Sequence, residues 1–152
     1  MASRPKPATE STDNPSAGVD LPTYLPSREA SPETAIEAIR EGLPAEAFDW
    51  LKTELGLSAA ELAAVVHTSR RTITRRKNEG HLKPGESERV LRLIRIYQRA
   101  AAVLGSRQEA RAWMQEPNSA LGDASPLRFA DTEPGARRVE QLLGQIEHGV
   151  FA

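Results

Sequence analysis

Residues 57–77 constrain the fold more than any other stretch of this chain. Ser58 followed by Glu61 has the spacing of a capping box, in which each residue's side chain satisfies a backbone N–H of the other's turn. Leu62, Val65 and Val66 then form one apolar face, and Ala63 is small enough for a second helix to approach closely. His67-Thr68 reads as a tight turn, and Ser69 as the cap of the next helix. In that second helix Ile73 faces inward, while Arg70, Arg71, Thr74 and Arg75 fall on the opposite side. Two short helices joined this way, the second carrying arginine on its free face, read as a helix-turn-helix that offers one helix to the major groove of DNA.

The charge distribution supports this reading. The chain of 152 residues carries a net charge of only -1, but residues 67–99 hold ten Lys or Arg against three acids, Glu79, Glu86 and Glu88. A basic middle between acidic flanks fits a polyanion site. The sequence pI of about 6.3 argues against a purely nonspecific DNA coat. With no cysteine, disulfides and thiolate metal sites are excluded. No apolar run approaches the ~20 residues needed to cross a bilayer. The N-terminus lacks the charged-then-apolar order of a signal peptide, so the expected setting is the cytoplasm.

The length suits one domain, or two small ones sharing a core. Residues 1–30 hold five prolines among Ser, Thr, Asp and Gly and read as a flexible arm in which only Leu21, Tyr24 and Leu25 have the means to dock locally. Ser31-Pro32-Glu33 predicts the first helix start, with Ile36 and Ile39 inward until Gly42. Pro44 opens a second helix, with Phe48, Leu51 and Leu55 inward and Gly56 as its stop. The recognition helix closes at Asn78-Glu79-Gly80, and residues 81–85 form a connector. A long helix over 86–104 carries one apolar stripe of Val90, Ile94, Tyr97, Ala101 and Leu104, and beside it another of Leu93, Ile96, Ala100 and Val103. A face that wide needs partners on more than one side, which makes this helix the spine. Ser106 with Glu109 starts a helix through Trp113 and Met114 that ends before Pro117. Thr132 caps a last helix, with Val139, Leu142, Leu143 and Ile146 inward, ending near Gly149. No segment alternates as a strand does, so the fold class is all-α.

On the recognition helix, Arg70, Arg71 and Arg75 are placed near bases, and Ser69, Thr74, Arg76 and Lys77 near phosphates. The alternative is a solvated basic face. Arg92, Arg95 and Arg99 form a second stripe, for phosphate, for an acidic partner, or simply for solvent. Trp113, Met114, Leu127 and Phe129 read as core, with an interface patch as the other option. His67, His81 and His148 are scattered without metal-ligand spacing. Neither a glycine-rich phosphate loop nor a nucleophile elbow is present. The sequence therefore points to neither an enzyme nor a bound cofactor. A recognition helix makes few contacts, so a homodimer on two half-sites is expected.

Two ordered motif sets resemble one known family. Residues 70–77, then Gly80, Leu82, Pro84 and Glu86, then residues 89–93, look like the N-terminal half of the Xre/MbcA/ParS antitoxins. Trp113-Met114, residues 117–122, Ser125-Pro126-Leu127, Asp131-Thr132, Gly135 and Val139 resemble that family's toxin-binding domain. The resemblance covers roughly residues 45–152. Beside the proline-rich arm over 1–30, the chain then divides into a helix-turn-helix domain over 31–104 and, as the resemblance implies, a toxin-binding domain over 105–152. The resemblance also implies a RES-domain toxin as partner, whose NAD site the C-terminal region blocks, and repression of the chain's own operon. Asn118 and Leu121, with the tail residues Glu147, His148, Gly149, Val150 and Phe151, are the implied toxin contacts. Three residues depart from pattern. Asp123 stands where the family commonly has a second glycine, His67 replaces the usual turn glycine, and Arg76 takes a position where an apolar residue is common. The competing readings are a stand-alone repressor without a toxin, and an adaptor whose basic helix meets an acidic protein.

Overall fold

The computed structural model describes residues 19–149. Among them the elements run α1 (Pro32–Glu41), α2 (Glu46–Leu55), α3 (Ala59–Val65), α4 (Arg70–Glu79), α5 (Pro84–Leu104), α6 (Arg107–Gln115), a 3₁₀ turn (Ser119–Leu121), α7 (Pro126–Phe129) and α8 (Glu133–Glu147). The all-α expectation holds. Isolated bridges join Pro44 to His81 and Asn118 to Ala124, and no strand forms among the described residues.

Local side chains set most helix starts. Ser31, Ser58, Ser69, Ser106, Ser125 and Thr132 each accept a hydrogen bond from the backbone N–H three residues on. At Ser58 the box is complete: Glu61 Oε1 accepts from the Ser58 N–H at 2.8 Å, and Ser58 Oγ from the Glu61 N–H at 3.1 Å. Pro84 lies at the first position of α5, so the long helix starts two residues before the expected Glu86. Pro44 does not open α2; it bridges to His81, and α2 begins at Glu46.

α5 is the spine. Val90, Leu91, Leu93, Ile94, Ile96, Tyr97, Ala100 and Ala101 are all buried along it. α1 and α2 pack on α5 from the N-terminal half, α6 and α8 from the C-terminal half. The two apolar stripes thus serve two sets of neighbours on one rod. Side chains lock the halves together. Tyr97 Oη donates to Glu54 Oε1 at 2.8 Å, Arg111 Nε to the Glu54 carbonyl at 2.8 Å, and Gln115 Nε2 to the Leu55 carbonyl at 2.6 Å. α6 thereby caps the carbonyl end of α2, where intrahelical partners run out.

Two expectations change. Ile36 is exposed, because Ala35 and the half-buried Ala38 and Ile39 form the inner face of α1 and leave Ile36 beside it. Residues 19–30 of the expected arm carry two backbone turns, Leu25 N–H to Pro22 carbonyl at 3.1 Å and Ala30 N–H to Ser27 carbonyl at 3.0 Å, and they bury Leu25. Residues 1–18 of that arm lie outside the described part.

The corner between α7 and α8 depends on one glycine. A Cβ on Gly135 would collide with the Phe129 carbonyl oxygen. Replacing a helical glycine with alanine ordinarily stabilises by about 0.5–1 kcal/mol. Here the sign reverses: Gly135→Ala is expected to destabilise by about 1–3 kcal/mol, as overpacking does, read as a lowered urea midpoint at unchanged m.

Candidate functional site

The geometry of α4 starts from what it buries. Ile73 is packed inward, and Ser69 Oγ accepts from the Thr72 N–H at 3.1 Å to fix the helix start. Arg70, Arg71, Thr74 and Arg75 are exposed on the far side, as the spacing predicts. Arg70, Arg71 and Arg75 have no ion-pair partner among the described residues.

Arg76 is the principal correction. It was expected at phosphate, but it is only 8% exposed and turns toward α5. Its Nε donates to Glu86 Oε1 at 2.8 Å and its Nη2 to Glu86 Oε2 at 3.0 Å, a bidentate pair. Glu86 Oε1 also accepts from the Lys83 N–H at 2.9 Å. The cause is register. Arg76 follows Ile73 by three residues and so falls on the same inner face. The departure at this position signalled the placement, but the partner ten residues away lay beyond local patterning. Burial alone pushes the Glu86 carboxyl up, but the Arg76 guanidinium, the Lys83 amide and the Arg89 charge together outweigh it and hold it below the usual range. Lys77, also expected at phosphate, sits with Nζ 2.9 Å from Asp49 Oδ2 on α2 and is half engaged.

The turn before α4 is held from both sides. His67 has φ 60, the left-handed conformation that a turn glycine adopts freely. Its Nε2 lies 3.0 Å from the Asp131 carbonyl, at the α7–α8 corner. Arg89 Nε, on α5, donates to the Val66 carbonyl at 2.7 Å. The helix-turn-helix is therefore fastened to the C-terminal helices through its own turn.

In the C-terminal part, Asn118 Oδ1 accepts from the Ala120 N–H at 3.0 Å and caps the 3₁₀ turn. Leu121 is buried, so its side chain supports that turn from inside rather than offering a contact surface. Asp123 has φ 69, meeting with a short polar side chain the conformation that glycine gives in the family pattern. Met114, Leu127, Leu142 and Leu143 are core, while Trp113, Phe129 and Ile146 are half-buried at its edge. Glu147 Oε1 accepts from Arg99 Nη2 at 3.1 Å, and His148 and Gly149 are exposed. Val150 and Phe151 lie outside the described residues.

The fold is that of a helix-turn-helix protein in which the helix-turn-helix unit and a second helical unit share one spine. Comparison with known proteins makes it specific. Residues 34–95 match the antitoxin Xre-like helix-turn-helix domain, and residues 99–149 match the antitoxin Xre/MbcA/ParS C-terminal toxin-binding domain. The chain is 33% identical over 119 residues to antitoxin Xre of Yersinia enterocolitica, covering 77% of this chain and 80% of that protein. It is 31% identical over 116 residues to antitoxin Xre of Photorhabdus laumondii, covering 75% and 78%. It also resembles a chain in the crystal structure of the Mycobacterium tuberculosis MbcT-MbcA toxin-antitoxin complex, with TM-score 0.55 and 26% identity over 71% of this chain and 96% of that one. The chain belongs to the Xre antitoxin family. It is the antitoxin of a toxin-antitoxin system, a regulatory binder rather than an enzyme. No described helix is long and apolar enough to cross a membrane.

Removing one member of the Arg76–Glu86 pair leaves an uncompensated buried charge. Arg76→Ala is expected to cost about 3–5 kcal/mol, read by urea unfolding at neutral pH. The Glu86 contribution is complete above the ordinary glutamate value of about 4.3 and is lost as pH falls through the lower folded value. Glu86→Gln is expected to be less stable than wild type at neutral pH and to lose that acid limb of the pH–stability profile.

Proposed function

We propose that this antitoxin binds a RES-domain toxin, occludes its NAD site with the end of α8 and the tail beyond it, and represses its own operon through α4. The observation that carries the toxin half is the extent of the likeness to the chain from the toxin-antitoxin complex, 96% of that chain. His148 and Gly149 stand clear of the core at the end of α8, which supports that end as the inserting element. The half-buried Asn118 remains a second candidate contact, through its exposed neighbours Ser119 and Ala120. In this reading the Glu147 carboxylate exchanges Arg99 for toxin groups that otherwise hold the anionic cofactor.

The operator half rests on Arg70, Arg71 and Arg75, which are exposed, unpaired and carried on the second helix of the motif. Arginine holds guanine O6 and N7 through two parallel hydrogen bonds. Ser69 and Thr74 flank them at the backbone. A single copy offers one short reading helix, so the reading includes a homodimer on two half-sites one helical turn apart.

Two measurements test this reading. Deleting residues 147–152 is expected to leave toxin capture intact and to restore NAD consumption by the bound toxin; full inhibition by the truncated chain would refute occlusion by the tail. Arg75→Ala is expected to weaken operator binding by about 1–3 kcal/mol while folding stability stays within about 0.5 kcal/mol. That is the opposite pattern to Arg76→Ala, one residue along.

A further inference from the structure

The face presented to DNA does not end with α4. In helix-turn-helix docking the N-terminal residues of the second helix reach the bases, and neighbouring elements lie along the phosphate ridge. The α3–α4 turn marks that N-terminal end, and His67 ties it to Asp131 at 3.0 Å. The α7–α8 corner therefore stands beside the reading end of α4. Two arginines belong to it. Arg128 on α7 and Arg138 on α8 line one cleft of about 540 Å³ together with Asp131.

Neither arginine has a carboxylate partner within 4.0 Å among the described residues. Three acids lie near them: Glu61, whose carboxylate accepts from the Ser58 amide at 2.8 Å, Glu133, paired with Arg137, and Asp131, whose Oδ2 lies 3.6 Å from His67. The Glu61 carboxyl is held below its usual range first by the Ser58 amide and then by the Ser58 hydroxyl, with a smaller pull from Arg128, which places that guanidinium beside α3. The opposite end of α4 differs: Arg76 is buried against Glu86, and Lys77 is partly engaged by Asp49. At the reading end Arg70, Arg71, Arg128 and Arg138 thus have no carboxylate partner within 4.0 Å among the described residues.

We propose that Arg128 and Arg138 of the toxin-binding domain contact DNA phosphates flanking the groove that α4 reads. This rests on the operator-binding reading above. Phosphate contacts position a protein without reading sequence. The two arginines therefore add affinity without specificity, and they place part of the DNA interface on the domain that also holds the toxin.

The test compares full-length wild type with Arg128→Ala/Arg138→Ala on operator and scrambled duplexes across a salt series, with toxin inhibition and thermal melting measured in parallel. Each phosphate contact contributes about 0.9 to the slope of log affinity against log salt. The double variant is expected to lose about 1.8 of slope per copy and to weaken on both duplexes by the same factor, with melting and toxin inhibition unchanged. An unchanged slope overturns the proposal, as does a loss confined to toxin binding, which would assign the arginines to the toxin's surface. If wild type itself binds neither duplex, the operator reading falls and this proposal with it.

Discussion

The bidentate contact between Arg76 and Glu86 decides what α4 can show to the outside. Burying two charges is costly, and the pair persists because each polar atom is met: two guanidinium nitrogens on two carboxylate oxygens, with the Lys83 amide on one of them. This fixes the rotation of α4 about its axis. Once Ile73 and Arg76 face inward, positions 71, 74 and 75 point away, and Arg70 is left to one side in the first turn. The same carboxylate caps the first turn of α5. The ion pair thus joins the last turn of the reading helix to the start of the spine, and α5 carries that orientation through the molecule.

The spine also explains why two sequence domains behave as one body. α5 buries residues on successive sides, and its N-terminal neighbours α1 and α2 share it with α6 and α8. Tyr97 is fully buried with its hydroxyl on Glu54, and α6 supplies partners for the last carbonyls of α2. Cutting the chain after α5 would uncover that apolar flank and orphan those carbonyls, which is a strong reason for the toxin-binding unit to be more than an appendage. His67 adds a second fastening far from the first, at the turn of the motif itself.

What was readable in the sequence was local. Ser58 with Glu61, Ser69, and Ser106 with Glu109 act within one turn, so their helix starts follow from spacing alone. The helix order and the double stripe of α5 follow from apolar periodicity for the same reason. Missed features depend on residues distant in the chain. Glu86 neutralises Arg76, Asp49 takes Lys77, and Asp131 receives His67, and none of these pairs has a spacing rule. Ile36 fails differently: the small residues Ala35 and Ala38 can face α5 as well as an isoleucine can, so hydrophobicity alone did not fix the rotation of α1. At Leu121 the family pattern marked a position of consequence, but its role there is to hold the turn from within.

These pairings change how the charge of the chain is counted. Residues 67–99 have a large basic excess on paper. Folding offsets only part of it from outside the segment, where Lys77 meets Asp49 and Arg99 meets Glu147; Arg76 and Arg92 take the segment's own Glu86 and Glu88, and Arg89 keeps its charge while donating to the Val66 carbonyl. The reading helix keeps Arg70, Arg71 and Arg75. Three arginines release few counterions, and affinity for a duplex scales with that release. On the operator-binding reading proposed above, three arginines call for further charge from elsewhere, either a second copy on the next half-site or arginines outside the motif. The α7–α8 corner holds two uncommitted arginines beside the reading end, so the fold meets part of that need within each copy.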